Sequence, residues 1–413
     1  MARILEHRVK DLFKQFGIPV PQYYACASEA EVREAAGKIN KKVVVKALVP
    51  VGGRGKSGAV KFAEDANEAV ASSKELLNRD IKRWPCRQVL IEEFVPATDE
   101  YYVSITFDSR SRGPVIILGC QGGIGVEENA SALKKFPVDI RQGLRGYAAR
   151  EMWEQAGLAG KLLRPAGELL ENIYRLFCEC SGKLIEINPL LRTADDKFVA
   201  ADAVLIVDDE GIKKRPALME IVEYGVENFG RPPTEREQEM IRIDQLDPYR
   251  GTARFVELGE GDIGFMCGGG GGSLVMMDTV TRYHGRPLNY TEMGGNPTER
   301  KMLGLAKTVL SQPGLKGFLR VGNISSNTQV DIVAKALVKA VEELGIDPKK
   351  VPMVVRAAGL HEDEGRKILE EAGIAYFSDE YTMVQAGKKL LEMMRQKAAE
   401  EAVESGKEEV ILK

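Results

Sequence analysis

With 413 residues, 44% of them hydrophobic and 29% charged, the chain has the composition of an ordinary soluble protein and the length for two or three domains with cores of their own. Its 58 basic and 61 acidic side chains give a formal net charge of -3, which excludes recruitment of nucleic acid or an anionic membrane by a long-range field; any anion must be caught locally. No run approaches 18 uncharged apolar residues, the charged start from Met1 to Lys10 lacks an apolar signal core, and six cysteines without Cys-x-x-Cys spacing point to reduced thiols in a cytoplasm.

In chain order, a helix over about 4–16, with His7 on its surface, leads into the turn Gly17-Ile18-Pro19-Val20-Pro21. Val43-Val44-Val45-Lys46-Ala47 reads as a β-branched strand bearing one lysine. Next, Gly52-Gly53-Arg54-Gly55-Lys56-Ser57-Gly58 alternates glycines, whose backbone can approach an anion closely, with cations that neutralise it. Phosphate suits that loop, although its spacing is not Gly-x-x-x-x-Gly-Lys-Ser/Thr and a plain hairpin turn is the alternative. Gln88 to Pro96 is a strand running into an extended segment that offers backbone groups to an adenine edge, and Glu100 stands just beyond it to take ribose hydroxyls. Lys183 to Leu190 is a strand that sets Glu186 and Asn188 on one face; after the polar turn Thr193–Lys197, Asp202 starts a second strand. A carboxylate and an amide oxygen, backed by a further carboxylate, suit Mg2+, whereas a solvated edge hairpin is the plainer alternative.

The charged, proline-rich stretch from Gly230 to Glu237 reads as the start of a linker over 236–254. Strands at Ile263–Met266, Gly317–Val321 and Pro352–Arg356 then alternate with helices at Gln329–Leu344 and Asp363–Ala372, which predicts a parallel, doubly wound sheet binding ligands at its carboxyl edge. Two loops lie at that edge. Gly268 to Gly272 with Ser273 precedes a helix at Leu274–Tyr283 and presents N–H groups to a carboxylate or phosphate. A dinucleotide fingerprint is disfavoured there, because no acid follows at the end of a second strand. Ser325-Ser326-Asn327-Thr328 opens the helix from Gln329; one of these residues is expected to cap it, and the remainder suit an oxygen-rich anion.

Taken together, these motifs resemble the β subunit of succinyl-CoA synthetase and the matching part of ATP-citrate lyase, from the first helix to about Leu391. The Glu186-Ile187-Asn188-Pro189 motif, with Asp202 following Asn188 by 14 residues, has that family's magnesium spacing. The resemblance implies an α/β chain in which an ATP-grasp fold over 1–235, with lobes at 1–100 and 101–235, precedes a flavodoxin-like doubly wound CoA-ligase domain over 255–395 and a charged tail over 396–413. It implies that Lys46, Arg54 and the backbone of Gly53 and Gly55 hold phosphates of ATP or GTP, that Glu92 and Val95 line the adenine hinge, and that Glu100 meets the ribose. It further implies Mg2+ on Asn188 and Asp202, and Glu186 orienting a phosphorylated histidine.

For the acid, the resemblance implies Gly269, Gly270, Gly271, Ser273, Ser326, Asn327, Thr328 and Arg356. Synthetases carry Asn where this chain has Gly268, and Gly-Ile-Val where it has Ser326-Asn327-Thr328, whereas Ser273 and Thr328 match the lyase's citrate site. Citrate is therefore favoured over succinate, with malate a further possibility. Against citrate, the lyase has paired arginines where Arg356 is here followed by Ala357, and Gly53-Arg54-Gly55-Lys56 is closer to the synthetase. None of His7, His284 and His361 resembles the family's phosphohistidine loop, which implies an α-type partner subunit carrying that histidine and most of the coenzyme A site. His284 is read as a C-terminal helix cation and His361 as part of a helix start. Other ATP-grasp ligases lack the second doubly wound domain, and a non-catalytic nucleotide-sensing subunit would lack phosphotransfer.

Overall fold

The computed structural model describes residues 2–77, 79–123, 133–212, 214–222 and 231–404. The expected end of the second lobe near Val226, Gly230 at the head of the expected linker, and the tail beyond 404 lie outside these residues. The chain divides into two compact units, Met1–Pro232 and Pro233–Lys413. No described helix is long and apolar enough to cross a membrane.

The first unit contains two principal sheets. The smaller is antiparallel, in the order Tyr23–Cys26, Val89–Glu93, Val43–Ala47, Val60–Ala63. All five residues of Val43–Ala47 are buried, as a β-branched run in an inner strand should be, and Lys46 is buried with them. Helices Glu29–Ile39 and Ala66–Leu77 supply the rest of that core through Val32, Ala36, Val70 and Leu76. The larger sheet runs Ala2–Ile4, Val204–Val207, Gly182–Arg192, Asp99–Asp108, Gly113–Gly119, Lys134–Pro137, with Phe198–Ala200 also paired to Gly182–Arg192.

Asp202 does not begin a strand. Phe198–Ala200 pairs with Leu190–Arg192, the ladder breaks, and Val204–Val207 resumes pairing with Glu186 and the residues before it. Leu190 lies opposite Ala200 and Glu186 opposite Val204, so the interruption puts Asn188 and Asp202 at the same level. Pro189 lacks the N–H that a continuous ladder needs at this point.

The second unit has four parallel strands in chain order, Ile263–Cys267, Gly317–Ser325, Met353–Gly359 and Ala375–Phe377. Helices Gly270–Arg282 and Met383–Glu404 pack one face through Met276, Val280, Ala386 and Leu390. Helices Glu299–Leu310, Val330–Glu343 and Glu362–Glu371 pack the other through Leu305, Leu337 and Leu369. This is the doubly wound α/β arrangement expected.

Two expectations need correction. The expected linker 236–254 instead carries most of a helix, Glu235–Gln245, opened by a capping box in which Thr234 and Glu237 satisfy each other's backbone N–H. Met240 joins the core of the second unit, and buried Lys301 ties Asp244 and the carbonyls of Arg250 and Gly251 to the helix Glu299–Leu310. The glycine run is not wholly a loop either, because the helix begins at Gly270 rather than Leu274.

An antiparallel pair, Ala253–Glu257 with Asn289–Met293, lies beside the parallel sheet and is spliced to it by side chains. The Asn289 amide accepts from the Phe265 N–H at 3.0 Å and donates to the Phe265 carbonyl at 2.7 Å, and the Thr291 hydroxyl accepts from the Cys267 N–H at 3.1 Å. Asn289→Ala would strand a buried donor and acceptor, a cost of about 3 kcal/mol. Urea unfolding of the full chain is expected to show that loss; a change within error would mean that the splice contributes nothing to stability.

Candidate nucleotide and acid sites

In the first unit, the helix Glu6–Gln15 has Glu6, Val9, Lys10 and Phe13 on its buried face. That spacing drives an acid and a base into the protein together. Lys10 Nζ lies 2.9 Å from Glu6 and also pairs with Glu92. Lys46 Nζ is 3.1 Å from Glu6, 2.8 Å from Glu92, and donates to the Ala201 carbonyl at 2.6 Å. Arg54 spans Glu6 at 2.5 Å and Asp202 at 2.6 Å. Three cations and three carboxylates thus form one cluster. Burial alone would raise the Glu6 pKa, but Arg54, Lys10 and Lys46 outweigh it and hold the carboxyl well below its ordinary value. Burial likewise disfavours charged Lys46, yet Glu6, Glu92 and Asp202 raise its pKa overall.

The expected phosphate residues are therefore together. Lys46 and Arg54 are joined by their acids, and Gly53, at φ 67°, starts the turn through Gly58. Gly53 and Gly55 are exposed, and their N–H groups have no partner among the described residues. Glu92 departs from expectation. Its carboxylate is buried between Lys10 and Lys46, and its backbone lies inside the ladder opposite both Tyr23 and Val44. Val95, the other residue expected at the hinge, has its N–H and carbonyl unengaged among the described residues after Phe94 N–H closes on the Lys42 carbonyl.

Glu100 and Asn188 meet a common strip, Gly122–Gly123. The Glu100 carbonyl accepts from Gly122 N–H at 2.7 Å, its carboxylate lies close against Gly123, and Asn188 Oδ1 accepts from Gly123 N–H at 2.7 Å. Glu186 accepts from the Tyr102 hydroxyl at 3.0 Å. Asp202 keeps 31% side-chain exposure, and among the described residues only its Oδ1 is bonded, to Arg54 and to the Ala203 N–H. Arg3, Glu6 and Lys10 were not legible as site residues. Arg3 is lowered by burial first and by Arg54 second, with Asp202 and Glu186 opposing, which puts it within electrostatic reach of all three. His7 is half-buried, and its Nδ1 lacks a partner among the described residues, so it is not the surface residue expected.

In the second unit, Gly269 N–H is spent on the Met293 carbonyl, while Gly270 and Gly271 are in the first helical turn, where N–H groups have no intrahelical partner. Ser273 is fully buried and its hydroxyl donates to the Gly269 carbonyl at 3.0 Å, shaping the turn. The helix Val330–Glu343 is preceded by Gln329 without a side-chain cap, so none of Ser326, Asn327 and Thr328 caps it. Ser326 and Asn327 are exposed, and Thr328 accepts from the Asn296 N–H at 3.0 Å. Asn327 abuts Gly295, which adds the loop Gly294–Asn296 to this edge, a contributor the sequence pattern did not reveal. Arg356 is buried and donates to the carbonyls of Tyr381 and Gly322.

Residues 3–192 match the ATP-grasp domain model, and residues 231–392 match the ATP citrate lyase citrate-binding model. The β subunit of an ADP-forming succinate–CoA ligase from Ignicoccus hospitalis is 34% identical over 391 residues, covering 94% of this chain and 98% of that relative. The chain belongs to the succinate–CoA ligase β-subunit family. Another relative, the β subunit of a GDP-forming succinate–CoA ligase from Thermus thermophilus, is 34% identical and covers 94% of this chain and 98% of its own length. In fold, this family member also matches ATP citrate lyase from Methanothrix soehngenii, solved with citrate and coenzyme A, at TM-score 0.78 and 23% identity, covering 95% of this chain and 99% of that one.

In this succinate–CoA ligase relative, the depressed Glu6 carboxyl contributes stability that is fully present above its unfolded pKa and is lost as pH falls from about 4.5 through the lower folded value. Glu6→Gln is expected to lower stability at neutral pH and to flatten the acid limb of a urea-midpoint profile. An unchanged limb would mean that Glu6 is not the charged hub of the cluster.

Proposed function

We propose that the chain is the β-type subunit of an ADP-forming carboxylate–CoA ligase that acts on citrate with an α-type partner. In this reading the partner's histidine attacks the γ-phosphorus, the bond to the β–γ bridging oxygen breaks, and ADP leaves. A citrate carboxylate then takes the phosphoryl group, and coenzyme A thiolate displaces phosphate to give citryl-CoA. Lys46, Arg54 and the N–H groups of Gly53 and Gly55 hold the nucleotide phosphates, Val95 reads the base edge and Glu100 the ribose. Glu6 and Glu92 keep the two cations aimed, which suits a reaction whose catalysis is chiefly positioning and charge stabilisation. Glu186, steadied by Tyr102, orients the histidine.

The donor set fits Mg2+. Asp202 has a part-exposed carboxylate oxygen without a partner among the described residues and lies across the interrupted ladder from Asn188, whose amide oxygen accepts from Gly123 N–H, and magnesium favours one or two carboxylates with phosphates and water completing its octahedron. Bound there, the ion would neutralise phosphate charge.

Citrate rests on one observation: the edge Ser326-Asn327-Thr328, with Asn296 against Thr328, carries more polar groups than capping uses. The citrate-binding family match over 231–392 supports it. The names of the similar relatives favour succinate as the second reading.

The chain, reconstituted with its partner subunit, Mg-ATP and coenzyme A, is expected to form ADP and acyl-CoA with citrate and not with succinate. Acetyl-CoA among the products would mark a lyase, and turnover with succinate alone would overturn the citrate reading. Asp202→Ala is expected to abolish phosphorylation of the partner while leaving the subunits assembled; retained phosphorylation would remove Asp202 from the metal site. Thr328→Val is expected to raise KM for the acid and leave that for ATP unchanged, and a shift in the ATP value would count against the acid site.

A further inference from the structure

Two arginines lie at the carboxyl end of the parallel sheet with no acid to match them. Arg320 is 4% exposed and Arg356 7%, and neither has an ion pair among the described residues. Arg356 is engaged by two backbone carbonyls. Arg320 is not: Nη1 donates to the Arg356 carbonyl at 3.1 Å, but its buried Nε has no partner among the described residues. Buried charges are ordinarily paired or fully hydrogen-bonded, and a hydrophobic side chain of similar size would serve the core at least as well. An unmatched buried guanidinium therefore asks for an anion from outside the fold.

The direction of the side chain says where that anion would be. Arg320 stands opposite Met266 and Val355, and its guanidinium runs forward along its own strand to Gly322, where a Cβ would lie 3.0 Å from Nη1 and 3.4 Å from both Cζ and Nη2. Only glycine leaves that space. Gly322 is also 3.9 Å from the place a Cβ would take on Gly268, so the charge sits where the glycine turn and the Gly322–Thr328 segment both begin. Met266, Val355 and Ala357 belong to the same core cluster, so Arg320 and Ala357 share a face of the sheet. Ala357 puts only a methyl group on that face. Burial pushes the Arg320 pKa below its ordinary value, with Cys267 and Tyr376 opposing and Arg356 adding to the fall, and a bound carboxylate would reverse that strain.

We propose that Arg320 binds a carboxylate of the acid substrate, supplying from the neighbouring strand the cation that the citrate-lyase pattern places immediately after Arg356, where this chain has Ala357. The assignment rests on reading this edge as the acid site, and its substrate class is an acid with a carboxylate beyond those that the loop N–H groups hold.

The test uses the full chain with its partner subunit and compares wild type, Arg320→Met and Arg320→Lys in KM for acid, KM for ATP, ATP-driven phosphorylation of the partner, and the melting shift produced by citrate alone. Arg320→Met is expected to raise KM for citrate by about 30-fold or more. It should abolish the citrate-induced melting shift, leave KM for ATP and partner phosphorylation unchanged, and melt no lower than wild type without acid. Arg320→Lys, which keeps the charge and loses the fork, is expected to fall between them and gives the same split should the Met variant fold poorly. An unchanged KM for citrate overturns the assignment while leaving the citrate reading intact. If wild type uses succinate alone, the citrate reading fails, and Arg320 then stands or falls on whether KM for succinate rises. Loss of partner phosphorylation together with acid binding would mark a structural role and overturn the proposal.

Discussion

Glu6 is the constraint on which the first unit depends. One almost fully buried carboxylate faces Lys10, Lys46 and Arg54, and it offsets much of the cost of holding three cations in a strand, a helix and a turn where water is excluded. Burying Lys46 disfavours its charge, and what restores that charge is a ring of acids rather than solvent. The cluster pairs three positive groups with three negative ones. A phosphate entering this arrangement competes with carboxylates instead of filling an unmet need. That favours ligands carrying several negative charges together, which can replace Asp202 on Arg54 while Glu6 holds the guanidinium in place.

The second unit handles charge in the opposite way. Arg320 and Arg356 lie buried at the strand ends with backbone carbonyls as their only partners among the described residues. A carbonyl offers a partial charge, so the local balance stays positive. Glycines at 268–272 and at 322 let the backbone and the guanidinium come close to the same place, and the first helical turn adds unpaired N–H groups. The two units thus differ in how they hold buried cations, the first by carboxylates within one cluster and the second by backbone carbonyls.

Much of this was legible from residue pattern. The β-branched run around Lys46, the alternation of Glu186 and Asn188, and the three strand segments of the second unit each read correctly, because inner strands of parallel or covered sheets are continuous apolar runs in which a lone polar residue stands out. Other parts were hidden for physical reasons. Glu6 and Lys10 look like an ordinary solvated i, i+4 pair; that they share a face with Val9 and Phe13 is visible in the spacing, but a charged pair on an apolar face becomes credible only once its partners from residues 46, 54, 92 and 202 are known. Glu92 reads as a hinge residue by position, yet pairing on both sides closes its backbone. The segment 236–254 looks like a linker because it is charged, although Thr234 and Glu237 form a capping box that announces a helix. Arg320 sits in plain view within an apolar strand, and only its burial and its lack of an acid make it unusual.

Discrimination among acids follows from what each would leave unpaired. An apolar pocket separates substrates that differ by a methylene only weakly, whereas a site with a fixed polar demand strongly rejects a ligand that cannot meet it. On the assignment of Arg320 to a substrate carboxylate, a dicarboxylate held by the loop N–H groups would close the site over a cation still without its partner, and that desolvated charge would count against binding. A tricarboxylate has a group to spare for it. The substitution of Ala357 at one strand and Arg320 at the next would then move the source of the charge while preserving its level at the sheet edge. Such a move is open only to a chain with glycine at 322, since any larger residue there would fill the path that the guanidinium takes.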